Sequence, residues 1–307
     1  MTKNILPKEF FWRRIHSLAG LWLIFFIIEH LLTNSQSALF LGDDGHGFIS
    51  AVNWIHGLPY LPVIELVALG VPFLIHGLWG IKYAREASIN SMGSDGSKPA
   101  LGRYRGNRGF TWQRVTSWIL IIGVLAHVVQ MRFMEYPSEA QVGSQEYFAV
   151  RVSDDPGLIT LGERLDFQIY SENDIVQIGS KLASQPAEAT PLSELKRKQQ
   201  VEWFEALESK PLSEEQVILV TNNFGTASLL VVRDTFKMPM MIILYTIFVI
   251  AAGYHAFNGL WTAFITWGLN ITQRTQDKFR KLTNTLMTLV IFLGLASVWL
   301  TYVNLSH

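Results

Sequence analysis

Residues 13–32 read RRIHSLAGLWLIFFIIEHLL, an apolar run that begins behind two arginines and contains Glu29 and His30 near its end. About 20 apolar residues are enough to cross a hydrocarbon core of about 30 Å. The run is long for a secretory signal peptide and carries polar side chains, so we interpret it as a retained helix. Four similar runs follow, and the five apolar runs are residues 15–32, 61–81, 115–129, 238–268 and 282–303. The sequence therefore predicts an all-α membrane protein with five transmembrane helices.

Composition excludes several other classes of protein. Apolar residues make up 49% of the 307-residue chain and charged residues 16%, which argues against disorder. Cysteine is absent, so a disulfide scaffold, a covalent C-x-x-C-H haem attachment and a thiolate metal site are excluded. The 25 basic residues balance 25 acidic ones. A formal charge of zero gives no electrostatic case for binding to nucleic acid.

Residues 134–237 differ from the rest of the chain because they contain no long apolar run. Alternating apolar and polar residues predict strands at residues 147–152, 164–170, 216–221 and 227–232. Thr190 followed by Pro191 resembles a helix start, and residues 192–208 have a helical spacing of apolar residues. We therefore expect a small α+β domain inserted between transmembrane helices 3 and 4, which divides the chain into residues 1–133, 134–237 and 238–307.

The distribution of basic residues predicts the orientation of the chain in the membrane. Neither Lys nor Arg occurs between Arg14 and Lys82, or after Lys281. Cytoplasmic loops are enriched in these residues near the ends of transmembrane helices. The amino terminus is therefore expected in the cytoplasm, and the insert and the carboxyl terminus are expected outside.

Four of the five apolar runs each contain one deep histidine, and ionisable side chains inside a membrane are costly and usually functional. These residues are His30, His76, His127 and His255. At a rise of 1.5 Å per residue, His30 and His127 fall in an outer layer, about 20 to 24 Å from the inner surface. His76 and His255 fall in an inner layer, on the condition that helix 4 projects beyond the inner membrane surface.

Two imidazoles from facing helices at one depth are what axial ligation of a haem iron requires. Two such pairs predict two b-type haems, which would form an electron path across the bilayer. A zinc site is the alternative, although two neutral ligands in each layer leave a tetrahedral ion short unless Glu29 or Glu65 joins them. A haem-free transport or structural membrane protein is therefore the second class of function to be considered.

Four segments carry a family resemblance: residues 11–17 (FWRRIHS), 29–31 (EHL), 113–116 (QRVT) and 255–268 (HAFNGLWTAFITWG). They resemble the five-helix, di-haem cytochrome b subunit of b558 type that anchors succinate:quinone oxidoreductase and its fumarate reductase relatives. The resemblance covers residues 10–133 and 238–300, and the insert lies outside it. Some fumarate reductase relatives carry a glutamate two residues before the helix 4 ligand, where this chain has Gly253.

The resemblance implies that His30 and His127 ligate the distal haem and that His76 and His255 ligate the proximal haem. It also implies a location in the bacterial cytoplasmic membrane, with a flavoprotein and an iron–sulfur subunit docked on the cytoplasmic face. Electrons from succinate would pass through those subunits and the two haems to a quinone, and fumarate reduction would use the same parts. The sequence has no flavin or iron–sulfur motif, so dicarboxylate chemistry is expected on the partner subunits.

Polar residues near the two histidine layers are candidates for further contacts. His16, Ser17 and Arg114 lie within two turns of the inner boundary, where proximal haem propionates need cationic and hydroxyl partners. His56 and Glu65 lie at the outer end of helix 2, where a quinone needs a protonatable group. An outer quinone site suits menaquinone, because the membrane potential would then assist its reduction.

Overall fold

The computed structural model describes residues 7–39, 44–93, 95, 100–184, 191–209, 211–269 and 272–306. Its helices are mostly long, and a small sheet lies between the third and fourth of the longest ones. In chain order the elements are α1 Lys8–Ser35, α2 His46–His56, α3 Leu61–Glu86, α4 Arg105–Met134, β1 Ser138–Val142, β2 Gln145–Ser153, α5 Gly157–Leu165, β3 Gln168–Tyr170, α6 Glu172–Ser184, α7 Pro191–Glu208, β4 Gln216–Thr221, α8 Phe224–Thr235, α9 Pro239–Thr266 and α10 Gln273–Asn304.

Five of these helices are long and apolar enough to cross a membrane: α1, α3, α4, α9 and α10. The five predicted runs lie on these helices, so the prediction of five spanning segments is confirmed at the level of length and composition. Large apolar side chains cover their outer faces, as at Phe25, Ile122 and Phe292, which are 71%, 72% and 58% exposed. Lipid tails would cover apolar surface of this kind.

By its internal contacts the chain divides into two compact units. The first contains Met1–Leu32, Pro59–Ala126 and Leu244–Leu295. The second contains Thr33–Leu58, His127–Ile243 and Ala296–His307. By contacts, therefore, α2 and the carboxyl-terminal end of α10 group with the insert, while the three-part division of the sequence stays a prediction.

A π-helical turn at Leu66–Gly70 interrupts α3. Pro72 follows this turn and has no N–H to donate to the carbonyl of Ala68, four residues earlier. The indole Nε1 of Trp22 on α1 donates to that carbonyl instead, at 2.6 Å. This hydrogen bond therefore joins α1 to α3 about two helical turns before His76.

Glycines allow the spanning helices of the first unit to approach closely. A Cβ at Gly253 on α9 would lie 2.3 Å from Ile291 Cγ1 on α10. A Cβ at Gly123 on α4 would lie 2.5 Å from Phe248 Cδ2 on α9. The position that holds a glutamate in some fumarate reductase relatives is therefore a tightly packed glycine here, with no space for a longer side chain.

The insert contains a four-stranded antiparallel sheet with the strand order β1-β2-β4-β3. The predicted strands at residues 147–152 and 216–221 are confirmed as β2 and β4, and the predicted helix at 192–208 is confirmed as α7. Thr190, the expected N-cap, lies outside the described residues. The general prediction of a small α+β insert between the third and fourth spanning helices is thus confirmed.

One strand prediction in the insert is wrong, and another is confirmed only in part. Residues 227–232 belong to α8, because the side chain of Asn223 accepts a hydrogen bond from Thr226 N at 3.0 Å and begins a helix there. The buried residues of α8 then recur with helical spacing, for example at Ala227 and Leu230. Residues 164–170 contain the end of α5 and only the three-residue strand β3, since Asp166 adopts a left-handed conformation that ends the helix.

Helices cover both faces of the sheet. On one face, α2, α5 and α8 form the larger hydrophobic core, which includes Phe48 of α2 and Leu305 from the end of the chain. On the other face, α6 and α7 cover a smaller core around Leu207 and Ile218. The insert is therefore a three-layer domain whose core also takes in residues before α3 and after α10.

A buried ion pair lies at the centre of this second unit. The guanidinium of Arg233 is 1% exposed and donates to both carboxylate oxygens of Asp155, at 2.8 and 2.9 Å. Its Nε donates to the carbonyl of Leu305 at 3.0 Å. Lys237 forms a second ion pair with the same carboxylate. The network joins α8 to the loop before α5 and to the last residues of the chain.

Candidate functional site

Two of the four predicted ligand histidines lie next to each other between α3 and α9. The ring centroids of His76 and His255 are 6.0 Å apart, and their planes are at 86°. Both helices belong to the first compact unit. The inner-layer pair expected from helix depth is therefore brought together in the structure.

A backbone carbonyl on α1 orients His76. Its Nδ1 lies 3.1 Å from the carbonyl oxygen of His16, and because a carbonyl can only accept, Nδ1 carries the proton. The ring of His16 stacks on that of His76, with centroids 4.1 Å apart and planes at 9°. His76 therefore presents an unprotonated Nε2, the nitrogen that a metal ion would take.

His255 is oriented in the same way from α4. Its Nδ1 lies 3.2 Å from the carbonyl oxygen of Gln113 and 3.4 Å from the hydroxyl of Thr116. The Thr116 hydroxyl donates to Trp112 O at 2.7 Å, which leaves its lone pairs to accept. The side chain of Gln113 in turn donates to His255 O at 3.0 Å and accepts from Asn258 at 2.7 Å. This network places the proton of His255 on Nδ1 as well.

The two imidazoles fit one shared metal ion. Two metal–nitrogen bonds of about 2 Å and two ring radii of about 1 Å separate the ring centroids by about 6 Å in a bis-imidazole complex. The observed separation of 6.0 Å has this size. Two neutral imidazole ligands suit an iron whose remaining ligands come from a macrocycle, and the donor set therefore fits a b-type haem.

A glycine on α1 makes room for the His76 ring. A Cβ at Gly20 would lie 2.7 Å from His76 Cε1 and 2.9 Å from Nδ1, closer than real Cβ contacts. Gly20→Ala is therefore expected to displace His76 and to lower the haem content of the purified protein at least twofold, as measured by pyridine haemochrome. Gly77→Ala on α3 is the matched control, because no atom lies within 4 Å of its Cβ. Equal haem contents in the two variants would contradict this role for Gly20.

The residues expected near haem propionates lie in the same unit. His16 Nδ1 and Arg114 Nε are buried, and neither has a hydrogen-bond partner among the residues that the structure describes. The Arg114 guanidinium stacks 3.2 Å over the centroid of the Phe110 ring and donates to its carbonyl at 2.9 Å. Ser17 accepts a hydrogen bond from Trp267 Nε1 at 3.2 Å. Buried donors without acceptors are costly, so His16 and Arg114 fit an additional anionic group.

The other two predicted ligands also lie on spanning helices. His30 lies near the end of α1, where its ring stacks on Phe26 with centroids 5.3 Å apart. His127 lies on α4, directly before the π-helical turn Val129–Met134. They fall in different compact units, so their assignment to one haem stays a prediction.

The two residues expected near a quinone have different surroundings. His56 ends α2, and its ring stacks on Phe224 of α8 with centroids 3.8 Å apart. Its Nε2 lies 3.9 Å from Glu139 Oε1 on β1. Glu65 lies on α3 at the start of the π-helical turn. His56 therefore packs within the insert, whereas Glu65 belongs to the spanning helices.

Sequence reasoning missed the residues that orient the histidines. Gln113 and Asn258 lie within segments that carry the family resemblance, but their pattern alone did not indicate a shared hydrogen-bond network around His255. Gly20 gave no local signal, because its role depends on a ring from another helix. The nearest available clue was the presence of amides and a threonine in otherwise apolar runs.

The fold and this cluster define a multi-pass helical membrane protein with paired histidines between its spanning helices. The chain is 23% identical over 296 residues to the succinate dehydrogenase cytochrome b558 subunit of Bacillus subtilis strain 168, and the alignment covers 95% of each chain. Neither a family model nor a solved structure matches the chain.

Proposed function

We propose that this chain is the di-haem cytochrome b anchor of a succinate:quinone oxidoreductase. The observation that carries the proposal is the His76–His255 pair, whose two Nδ1 atoms are both held by backbone carbonyls. The similarity to a succinate dehydrogenase cytochrome b558 subunit along nearly the whole chain supports the same assignment. The chain would serve as the electron-carrying membrane subunit, while the dicarboxylate reaction occurs on its partners.

The proposed ligands are His76 and His255 for the proximal haem and His30 and His127 for the distal haem. Each bound haem would supply a one-electron carrier within the membrane. The backbone carbonyls of His16 and Gln113 hold the proximal imidazoles in the tautomer that leaves Nε2 unprotonated. His16, Ser17 and Arg114 would hold the propionates at the end of the bundle that is rich in basic residues.

The orientation and partners follow from the charge distribution. The end of the bundle that bears Lys82, Arg114 and Lys281 would face the cytoplasm, where a flavoprotein and an iron–sulfur subunit would dock. The insert and the carboxyl terminus would then lie outside. Electrons would enter near the His76–His255 pair and leave to a quinone on the opposite side, which suits menaquinone because the membrane potential assists the transfer.

Quinone reduction takes up two electrons and two protons, so a titratable side chain is required near the quinone. Glu65 is the proposed proton donor on α3. Glu65→Gln is expected to lower succinate:quinone reductase activity about 100-fold. Haem content and succinate oxidation with an artificial acceptor should be unchanged, because the substitution keeps the size of the side chain.

Two further variants sharpen this test of the quinone site. Glu86→Gln, at the other and exposed end of α3, is the matched control and should retain full activity. His56→Ala tests the second candidate, and because its ring packs on Phe224, insert stability must be measured alongside activity. If both Glu65→Gln and His56→Ala retain full quinone reductase activity, the quinone site would instead be assigned to the cytoplasmic end of the bundle, near His16 and Arg114.

Reduction of a b-type haem by succinate tests the proposed function directly. Membranes that contain the chain and its partner subunits should show a b-type reduced-minus-oxidised spectrum on addition of succinate. Membranes from a strain that lacks this chain should lose that signal. If the spectrum that succinate reduces is unchanged in membranes without this chain, the chain is not the anchor. The alternative, a haem-free transport or structural protein, would then be favoured.

A further inference from the structure

A cavity of about 320 Å³ opens between α4, α9 and α10, and three arginines line it. Arg105 and Arg108 come from the first turn of α4, and Arg280 comes from the second turn of α10. The α9 wall is formed by Tyr254, Asn258 and Trp261, which follow the i, i+4, i+7 spacing of one helix face. Asn258 also donates to Gln113 in the network around His255, but among the described residues neither His76 nor His255 lines the cavity.

Arg280 is held in place while part of its hydrogen-bonding capacity is unused. Its guanidinium stacks over the ring of Trp261, 3.9 Å from the centroid. Trp261 is 8% exposed and donates from Nε1 to Gln276 O at 3.3 Å, which fixes the ring. The Nε of Arg280 is buried and has no hydrogen-bond partner within the described ranges of the chain. A buried donor of this kind is stabilised by an acceptor that enters the cavity.

The cavity combines a strong positive charge with neutral polar groups. Within the described part of the chain, no carboxylate lines it, and none forms an ion pair with Arg105, Arg108 or Arg280. Thr283 and Asn284 add a hydroxyl and an amide on α10. Three guanidiniums without acidic partners match the charge and the oxygen geometry of a phosphate group.

The location of the cavity favours a phosphate that is attached to a lipid. It lies where spanning helices begin, at the end of the bundle that is rich in basic residues. The lining also includes the apolar side chain of Met287, one to two turns deeper along α10. Basic pockets between spanning helices on the cytoplasmic side commonly bind anionic lipid headgroups.

We propose that this cavity binds the phosphate of an anionic phospholipid headgroup, held by Arg105, Arg108 and Arg280. The bidentate guanidiniums would contact the phosphate oxygens, and the acyl chains would run along the apolar faces of α9 and α10. The site does not depend on haem binding or on the proposed electron transfer.

Lipid binding to the delipidated full chain in neutral detergent tests the proposal. Native mass spectrometry during a titration with phosphatidylglycerol should show a bound lipid, with phosphatidylcholine binding at least tenfold more weakly. The variant R105Q/R108Q/R280Q should bind phosphatidylglycerol at least tenfold more weakly than the unmodified chain. Arg108→Gln alone, at an exposed position, should weaken binding at least threefold, so the test remains decisive if the triple variant does not fold.

The matched control is R103Q/R274Q/K278Q, which removes three exposed positive charges from the same end of the bundle but none from the cavity. It should bind phosphatidylglycerol within twofold of the unmodified chain. Equal losses in the two triple variants, or equal binding of phosphatidylcholine and phosphatidylglycerol, would overturn the proposal.

Inorganic phosphate distinguishes the two sources of a phosphate group. If the lipid is the ligand, millimolar inorganic phosphate should leave phosphatidylglycerol binding unchanged within twofold. If inorganic phosphate binds and requires the three arginines while phosphatidylglycerol does not, the ligand is free phosphate and the lipid assignment is overturned. Loss of partner-subunit association in R105Q/R108Q/R280Q, with lipid binding unchanged, would instead make the cavity a protein-docking surface.

Discussion

His255→Ala is expected to remove one of the two proposed b-type haems from the purified protein, and His76→Ala is expected to remove the same one. Each proposed haem iron needs two axial imidazoles, and the rings of His76 and His255 lie with their centroids 6.0 Å apart and their planes at 86°. The surviving haem should retain its reduced-minus-oxidised spectrum, and the haem content should fall by half. His46→Ala is the matched control, because this histidine is exposed on α2 and should leave both haems in place.

The same experiment examines the pairing of the other two histidines. His30→Ala and His127→Ala should each remove the second haem and spare the one that depends on His76 and His255. If His76→Ala and His255→Ala left spectra with different surviving components, the two residues would not share an iron. The contacts of their Nδ1 atoms would then serve helix packing alone.

Asp155→Ala is expected to destabilise the insert by about 3 to 5 kcal/mol, because it leaves the buried guanidinium of Arg233 without its carboxylate. The change should appear as faster hydrogen exchange of the β2 and β4 amides in the intact protein. Asp174→Ala is the control, since Asp174 is exposed and accepts hydrogen bonds from the nearby Ser171. Similar exchange rates in the two variants would show that the buried ion pair does not hold the insert together.

The same carboxylate gives the insert an acid dependence. Burial by itself would raise the pKa of Asp155, but the hydrogen bonds and charges of Arg233 and Lys237 lower the pKa to about 2. Because this folded-state pKa lies below the ordinary value of 3.8, the stabilisation is complete above about pH 4 and is lost as the pH falls towards 2. Asp155→Ala should abolish this part of the pH dependence, which thermal unfolding at pH 5 and pH 2.5 measures.

The spanning helices could be predicted from the sequence because a membrane demands long apolar runs that few other structures require. The approach of His76 to His255 could be predicted from the rise per residue, which places the two residues at one depth on the condition that helix 4 projects beyond the inner membrane surface. The insert was harder, because short apolar runs in soluble domains do not distinguish strands from helices. Residues 227–232 show this ambiguity, because their alternation resembles a strand although they form a helix. The N-cap at Asn223 is the feature that marks the helix.

Long-range partners could not be predicted in this way. Nothing local shows that α2 and Leu305 belong to the core of the insert, or that Arg233 would find its partner 78 residues away. The carbonyls of His16 and Gln113 that orient the ligand candidates are likewise unremarkable in sequence. Such contacts depend on which helices pack against each other, and this packing cannot be derived from a single sequence.

The number of haems bound to each chain tests the central claim most directly. Pyridine haemochrome analysis of the purified protein, normalised to the amount of this chain, should give two b-type haems per chain, consistent with four axial histidines. One haem would contradict the pairing of His30 with His127 or of His76 with His255. A protein that binds no haem would contradict the proposed electron-transfer function altogether.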